Sequence, residues 1–314
     1  MCRLGPTQST ELGSQLMANA GTLPCDIADM RSRAQVMFSP ESYAAGHAYK
    51  VDSTDVIIAT YPKCGTTLMQ QIVHGLRTGG DMDFGEITEV VPWLETSLDM
   101  GVDVYAPQKA RPHAFKSHQS WENVPKGAKY IYIMRDPKDV VVSFFHFFEG
   151  WMFETGTISF DEFVRDFLLD GTRSGAYAAH YCSWWHKRND VDTLMLCYED
   201  MVTDLAGTVA RVNEFASINA SAKDVAIATH QADIDFMREH GTKFDDHPLL
   251  LKRNPVANLP LGAGSTKVRS GKVGSHKAML DEAMHAHLDT VWRESVAPTT
   301  GHDSYASLRA SLSP

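Results

Sequence analysis

The chain is poor in the features that mark secreted scaffolds, metal sites, membrane spans and nucleic-acid surfaces. It has five cysteines (Cys2, Cys25, Cys64, Cys182 and Cys197), an odd, scattered set with no C-x-x-C pair. That pattern suggests neither a zinc site nor a disulfide framework, and no metal is expected; a reducing, cytoplasmic setting fits best. No apolar run approaches the roughly 20 residues that a spanning helix needs. The opening "MCRLGPTQSTELGSQLMANAG" has no continuous apolar stretch of the kind a secretory signal requires. Basic residues are outnumbered, 29 Lys and Arg against 39 Asp and Glu, for a formal net charge of -10. A broad nucleic-acid surface is therefore not expected, although a local basic pocket stays open. Internal repeats and low-complexity tracts are absent as well.

What is present is an ordinary globular composition, 43% hydrophobic over 314 residues, enough for a sizeable core. Residues 1–35 show weak periodicity and read as a loose arm; residues 36–314 read as one domain, since no convincing linker interrupts them. From Asp55 onward, short β-prone runs alternate with amphipathic helices. "DVIIAT" (55–60), "HAFKSH" (113–118) and "KYIYIMR" (129–135) predict strands, and "TLMLCYEDM" (193–201) predicts a fourth strand running into a short helix. Continuous apolar, β-branched runs suit a sheet covered on both faces. Helices are predicted over 66–77, from Pro137 behind the N-cap candidate Asp136, over 159–169 behind a Ser159/Glu162 capping box, and over 176–188, 204–217, 221–230 and 277–296. The Gly/Pro-rich segment 247–276 reads as a loop able to cover a site. This alternation predicts an α/β fold with a central, mainly parallel sheet flanked by helices.

The stretch "YPKCGTT" (61–67) joins the first strand to a helix. A tight strand-to-helix turn points backbone N–H groups outward, and a helix N-terminus adds to the seat for an anion. Lys63 brings a full charge, and Thr66 and Thr67 bring hydroxyls. The order is not G-x-x-x-x-G-K-[ST]: lysine precedes Gly65, and the upstream glycine is missing. A loop this short suits a single phosphate better than a triphosphate chain. The bland alternative is a routine junction that needs glycine only for its bend.

Three segments bear on that choice: "TYPKCGTT" (60–67), "YIYIMRDPKDVVVSFFHFF" (130–148) and "VRSGKVGSHK" (268–277). In this order they resemble the signature segments of the cytosolic sulfotransferase family, with "FKSH" (115–118) and "YEDM" (198–201) in matching places between them. The resemblance runs roughly from residue 35 to 290. It implies a P-loop-like three-layer fold and transfer of a sulfuryl group from 3′-phosphoadenosine 5′-phosphosulfate (PAPS) to a hydroxyl or amine of a small molecule, leaving the 3′,5′-bisphosphate PAP. It also implies that Lys63, Cys64, Gly65, Thr66, Thr67 and Leu68 surround the donor's 5′-phosphate and base. Arg135, Ser143, Arg269, Ser270 and Gly271 would gather at the 3′-phosphate, and Tyr198 at the nucleotide. His118 would be the general base, with Lys63 and Lys116 stabilising developing charge. An imidazole pKa of about 6.5 suits proton removal near neutrality. His118 is one of 14 histidines, and it is the one just past a strand, on the anion loop's side of the sheet; His113 lies at the other end of that strand. Lys116, two residues earlier in an extended segment, faces the same way. Without the resemblance, Arg135 is equally a partner for Asp136 or Asp139, and Tyr198 is equally a strand-end core aromatic.

The chain departs from the family pattern at several places. Leu68 stands where the family has a tryptophan, and Ala232, Asp233 and Ile234 where it has Thr-Ser-Phe. Ser270 stands in place of a lysine, "GSHK" in place of Gly-Asp-Trp-Lys, and the family's C-terminal dimer motif is not recognisable. Weaker donor stacking is expected from the first two changes, and the oligomeric state is not specified. Candidate walls for an apolar acceptor lie in 93–100, 144–154 and 247–265. Two other readings stand beside this one: a small-molecule kinase with a variant loop, and a non-catalytic nucleotide-binding module.

Overall fold

Strand β1 (Val56–Thr60) carries five buried residues in a row. The computed structural model, which describes residues 21–168 and 174–312, shows why no polar break is tolerated there. β1 lies between β2 (Ala114–Ser117) and β3 (Lys129–Met134), and β4 (Thr193–Cys197) extends the sheet beyond β3, in the order β2-β1-β3-β4 with all pairs parallel. Successive side chains point to opposite faces, and both faces are packed. Ile57, Ala59, Phe115, Tyr130 and Tyr132 join one core, and Val56, Ile58, Ile131 and Ile133 join the other.

Helices cover each face, giving three layers. Against the first core pack α1 (Ile27–Gln35), α3 (Pro137–Phe148), α4 (Ser174–Trp185) and α8 (Glu282–Ser295). Against the second pack α2 (Thr66–Thr78), α5 (Leu205–Phe215) and α6 (Ala222–Gln231). The edge strand β2 is not left bare. Trp93 bridges to Lys116 in parallel fashion, and the Lys116 amide donates to the Pro92 carbonyl at 2.8 Å. No helix among the described residues is long and apolar enough to cross a membrane.

Several boundaries differ from the sequence expectation. The loose arm expected over 1–35 ends in a helix: Asp26 caps α1 by accepting from Asp29 N at 2.9 Å, and Ile27 and Met30 are buried. Two apolar contacts one turn apart give little periodicity to detect. Residues 1–20 lie outside the described residues. The loop expected over 247–276 contains helix α7 (His247–Arg253), with Pro248 in its first turn and Leu249 and Leu250 buried. The helix expected over 277–296 is split, because Asp281 accepts from Met284 N at 2.7 Å and starts α8 afresh. Two further helices follow at Ala297–Thr300 and Tyr305–Leu312. The predicted helix 159–169 makes one capped turn, Phe160–Glu162, and then widens to a π-helix over Phe163–Leu168.

Candidate active site

In a parallel sheet the loops leaving the C-terminal strand ends converge on one side. The loop after β1 turns sharply there: Lys63 has φ 71 and Gly65 φ 103, both left-handed. Gly65 caps α2, and a Cβ at this position would stand 2.7 Å from Tyr198 Cδ2, so glycine is required twice over, by backbone and by space. Thr66 Oγ1 pairs with Thr60 Oγ1 at 2.6 Å and ties the helix start to the strand end. Arg135 leaves the end of β3 and lies flat over the Tyr198 ring, 4.4 Å from its centroid. Its Nη1 donates to the Lys63 carbonyl at 3.0 Å, and its own carbonyl accepts from Tyr177 and Tyr181, each at 2.7 Å. Its Nε is buried without a hydrogen-bond partner.

His118 sits just past β2. Its Nδ1 is 2.9 Å from the Thr60 carbonyl. A carbonyl only accepts, so Nδ1 carries the proton and Nε2 is left with a free lone pair. Trp93 meets the ring edge-on at 5.0 Å. The buried Glu95 fixes the backbone beneath it, accepting from His118 N at 3.3 Å and from the Ser117 hydroxyl. Burial, and then the nearby Lys116 cation, push the imidazole well below its ordinary 6.5 and keep it neutral.

Three lysines, Lys63, Lys116 and Lys267, line the same cavity as His118. Lys63 lays its ammonium over the Phe147 ring at 3.6 Å, and Lys116 lays its own over Trp93 at 3.7 Å. Burial, followed by the cations Lys267, Arg135 and Lys116, lowers the Lys63 pKa well below the usual lysine value. Lys116 falls to about 8, chiefly through burial, with Asp246 pulling the other way. Asp246 Oδ2 lies 3.6 Å from Lys116 Nζ and also pairs directly with Lys267 Nζ. Burial would raise Asp246, but these two lysines hold it below the ordinary carboxylate value. Behind it, Glu86 accepts from Asp246 N at 3.3 Å and is pushed up to about 7 by burial and by that aspartate.

These groups open onto one cavity of about 820 Å³. Of the residues singled out from the sequence, Lys63, Gly65, Thr66, Thr67, Leu68, Lys116, His118, Arg135, Ser143, Tyr198, Arg269 and Gly271 line it. Cys64 and Ser270 do not: the Cys64 thiol is buried in the core behind the loop. Leu68, Ala232 and Ile234 form an aliphatic patch with Asp233 beside it, and a Cβ on Gly271 would stand 3.0 Å from Ile234 Cγ1. All three expected acceptor walls contribute, through Trp93, through Phe144 to Met152, and through Leu249 and Leu250; Met37, Phe38 and Tyr43 add a wall that was not foreseen. Asp139 holds the 268–276 segment over the cavity by accepting from Gly274 N (2.7 Å), His276 N (3.0 Å) and His276 Nδ1 (2.9 Å). Asp246 and Lys267 escaped the sequence reading. The one cue was Asp246 directly ahead of His247-Pro248 at a helix start, and Lys267 sits in a stretch with no periodicity.

Comparison with known proteins agrees with this geometry. Sulfotransferase 4A1 of Mus musculus is 29% identical over 256 residues, covering 79% of this chain and 82% of its own. Sulfotransferase 2B1 of Mus musculus is 30% identical over 271 residues, covering 83% and 77%. A crystal structure of retinol dehydratase in complex with androsterone and PAP shares the fold, with a TM-score of 0.63 over 84% of this chain and 85% of its own at 20% identity. A sulfotransferase domain matches residues 53–300, most of the length and every strand described above, and the chain therefore belongs to the sulfotransferase family.

Proposed function

We propose that this chain moves a sulfuryl group from PAPS to a hydroxyl or amine of a small, largely apolar acceptor, with His118 as the general base. The observation that carries the reading is the His118 tautomer: Nδ1 is committed to the Thr60 carbonyl, so the basic Nε2 is free beside Lys63 and Lys116. A phosphate-bearing nucleotide suits the cavity, because a buried guanidinium Nε without a hydrogen-bond partner and two lysines sharing one Asp246 oxygen call for an anion.

In this reading the turn at Lys63–Thr67 receives the 5′-phosphate, and Arg135, Ser143, Arg269 and Gly271 receive the 3′-phosphate. Cys64 and Ser270 contribute backbone only. Tyr198 serves as the platform that orients Arg135, and Leu68 and Ile234 take the base between aliphatic surfaces. PAPS supplies an activated sulfuryl group with a good leaving phosphate. His118 Nε2 removes the acceptor's proton, while Lys63 and Lys116 stabilise charge at the reacting end; the work is positioning and electrostatics. Trp93, Phe148 and Trp151 exclude water around an apolar acceptor. One domain carries all of this, and the free thiols of Cys25, Cys64, Cys182 and Cys197 suit a reducing, cytoplasmic setting.

The test is turnover of labelled PAPS against a panel of phenols, alcohols and amines. His118→Ala should lose about 10²–10⁴ in rate, the usual worth of a general base. Turnover near wild type in that variant would remove His118 from the role. PAP binding without turnover of any acceptor would make the chain a nucleotide-binding module instead.

A further inference from the structure

The sulfuryl-transfer reading leaves one pair of cavity residues without a task. Lys267 lies in the 247–276 segment, with its amide bound to Asp245 Oδ1 at 3.3 Å and its ammonium paired with Asp246. Its side chain is only 9% exposed, and it lines the cavity. Burying a lysine here is costly, and the carboxylate it pairs with directly is shared: Lys116 approaches the same Asp246 oxygen at 3.6 Å, with Asp245 as a further acidic neighbour. Glu86, behind Asp246, is pushed up to about 7 by burial and by that aspartate, with Lys267 pulling the other way.

The position is as informative as the charge. Among charged groups, Lys267 bears most strongly on Lys63, and it bears on Lys116 and His118 as well. It lines the same cavity as Lys63, Lys116 and His118, and its ammonium shares an Asp246 oxygen with Lys116. Arg135 and Arg269 line the cavity as well, Arg269 within the 268–276 segment that Asp139 draws onto α3. A buried cation joined to Lys116 through one carboxylate oxygen, in the cavity that also holds Lys63 and His118, is placed to meet a group passing between donor phosphate and acceptor.

We propose that Lys267, held by Asp246, is a third lysine of the transfer site and binds the oxygens of the migrating sulfuryl group. The step it serves exchanges one bond for another. The bond from acceptor oxygen to sulfur forms as the bond from sulfur to the phosphate oxygen breaks. The electron pair stays with the phosphate, and the acceptor's proton passes to His118 Nε2. Asp246 is the positioning residue, fixing Lys267 and Lys116 on one oxygen so that both ammonium groups face the same point.

This inference rests on the PAPS reading, and the two nucleotides separate them. PAP lacks the sulfuryl group and PAPS carries it. By calorimetry, Lys267→Met should weaken PAPS about tenfold to hundredfold, the worth of a charge-assisted hydrogen bond, and leave PAP binding unchanged. Unchanged PAP binding also shows that the variant is folded. Lys267→Arg should recover part of the PAPS affinity. Asp246→Asn should lower kcat more than it raises the donor KM, since it frees the lysine without removing it. Equal effects of Lys267→Met on both nucleotides, or none on either, would overturn the assignment while leaving the sulfotransferase reading intact. Wild-type protein that binds neither nucleotide takes both down together.

Discussion

Gly65 offers the sharpest test of how the anion loop is built. Replacing it with alanine makes two separable demands. Its φ of 103 lies in the left-handed region, where a side chain costs about 1–2 kcal/mol. Its new methyl would stand 2.7 Å from Tyr198 Cδ2, which forces the ring to move and adds an overpacking cost of about 1–3 kcal/mol. The ring is not free to move without consequence, because Arg135 lies on it at 4.4 Å while holding the Lys63 carbonyl. Gly156 isolates the first demand: its φ is 79, and a Cβ there meets nothing within 4 Å. Urea unfolding should therefore find Gly65→Ala less stable than Gly156→Ala by about 1–3 kcal/mol, the overpacking share alone. Calorimetry should also find weaker PAP binding in Gly65→Ala and unchanged binding in Gly156→Ala. Equal destabilisation by the two substitutions, with PAP affinity intact in both, would refute the account of Gly65 as a spacer for the Tyr198–Arg135 stack.

Other expectations follow from the same site and its surroundings. Leu68→Trp restores an aromatic face beside Ile234 and should tighten PAP binding by about 1–3 kcal/mol, the usual worth of base–aromatic stacking; a titration showing no gain counts against the aliphatic patch as the base site. Asp139→Asn removes the charge that holds Gly274 and His276, so limited proteolysis at Arg269 and Lys272 should accelerate and the donor KM should rise; a wild-type cleavage pattern would show that the segment is held by something else. Burial lowers His74 and His180 from 6.5 to about 4. The unfolded chain then binds more protons below pH 6.5, so stability is level above that value and falls as the pH drops toward 4. At 1.36 kcal/mol per pH unit the loss reaches about 3 kcal/mol per ring. His74→Gln should flatten its share of that slope in denaturation curves at pH 5 and pH 7.5, and an unchanged slope would rule out its burial as the cause.

The strands were legible because nothing competes with their pattern. Val56–Ile58 and Tyr130–Ile133 are unbroken apolar runs, and only a sheet covered on both faces uses such runs. Much of the cavity lining was legible for a different reason: the loop residues fall in one short segment and Arg135 and Ser143 in another, and each segment keeps the family's local spacing. What stayed hidden is what long-range folding assembles. Asp246 meets Lys116 and Lys267 on one oxygen, the first across 130 positions (246 minus 116), and Glu95 reaches Ser117 from outside the sheet; no local periodicity records these contacts. α7 was read as loop because its prolines and glycines dominate the neighbouring composition, whereas its two buried leucines make too short a pattern to outweigh them. Helix α1 was missed for the same want of length.

The edge of the sheet carries a consequence of its own. β2 has only four residues, and part of the cavity lining hangs on its parity: Lys116 and His118 face the cavity, while Ser117, between them, faces Glu95. A slip of this strand by a single residue would exchange those two sets. The bridge from Trp93 and the Glu95 carboxylate are thus more than edge cover, because they make the choice of pairing register the same event as the choice of which side chains can reach a ligand.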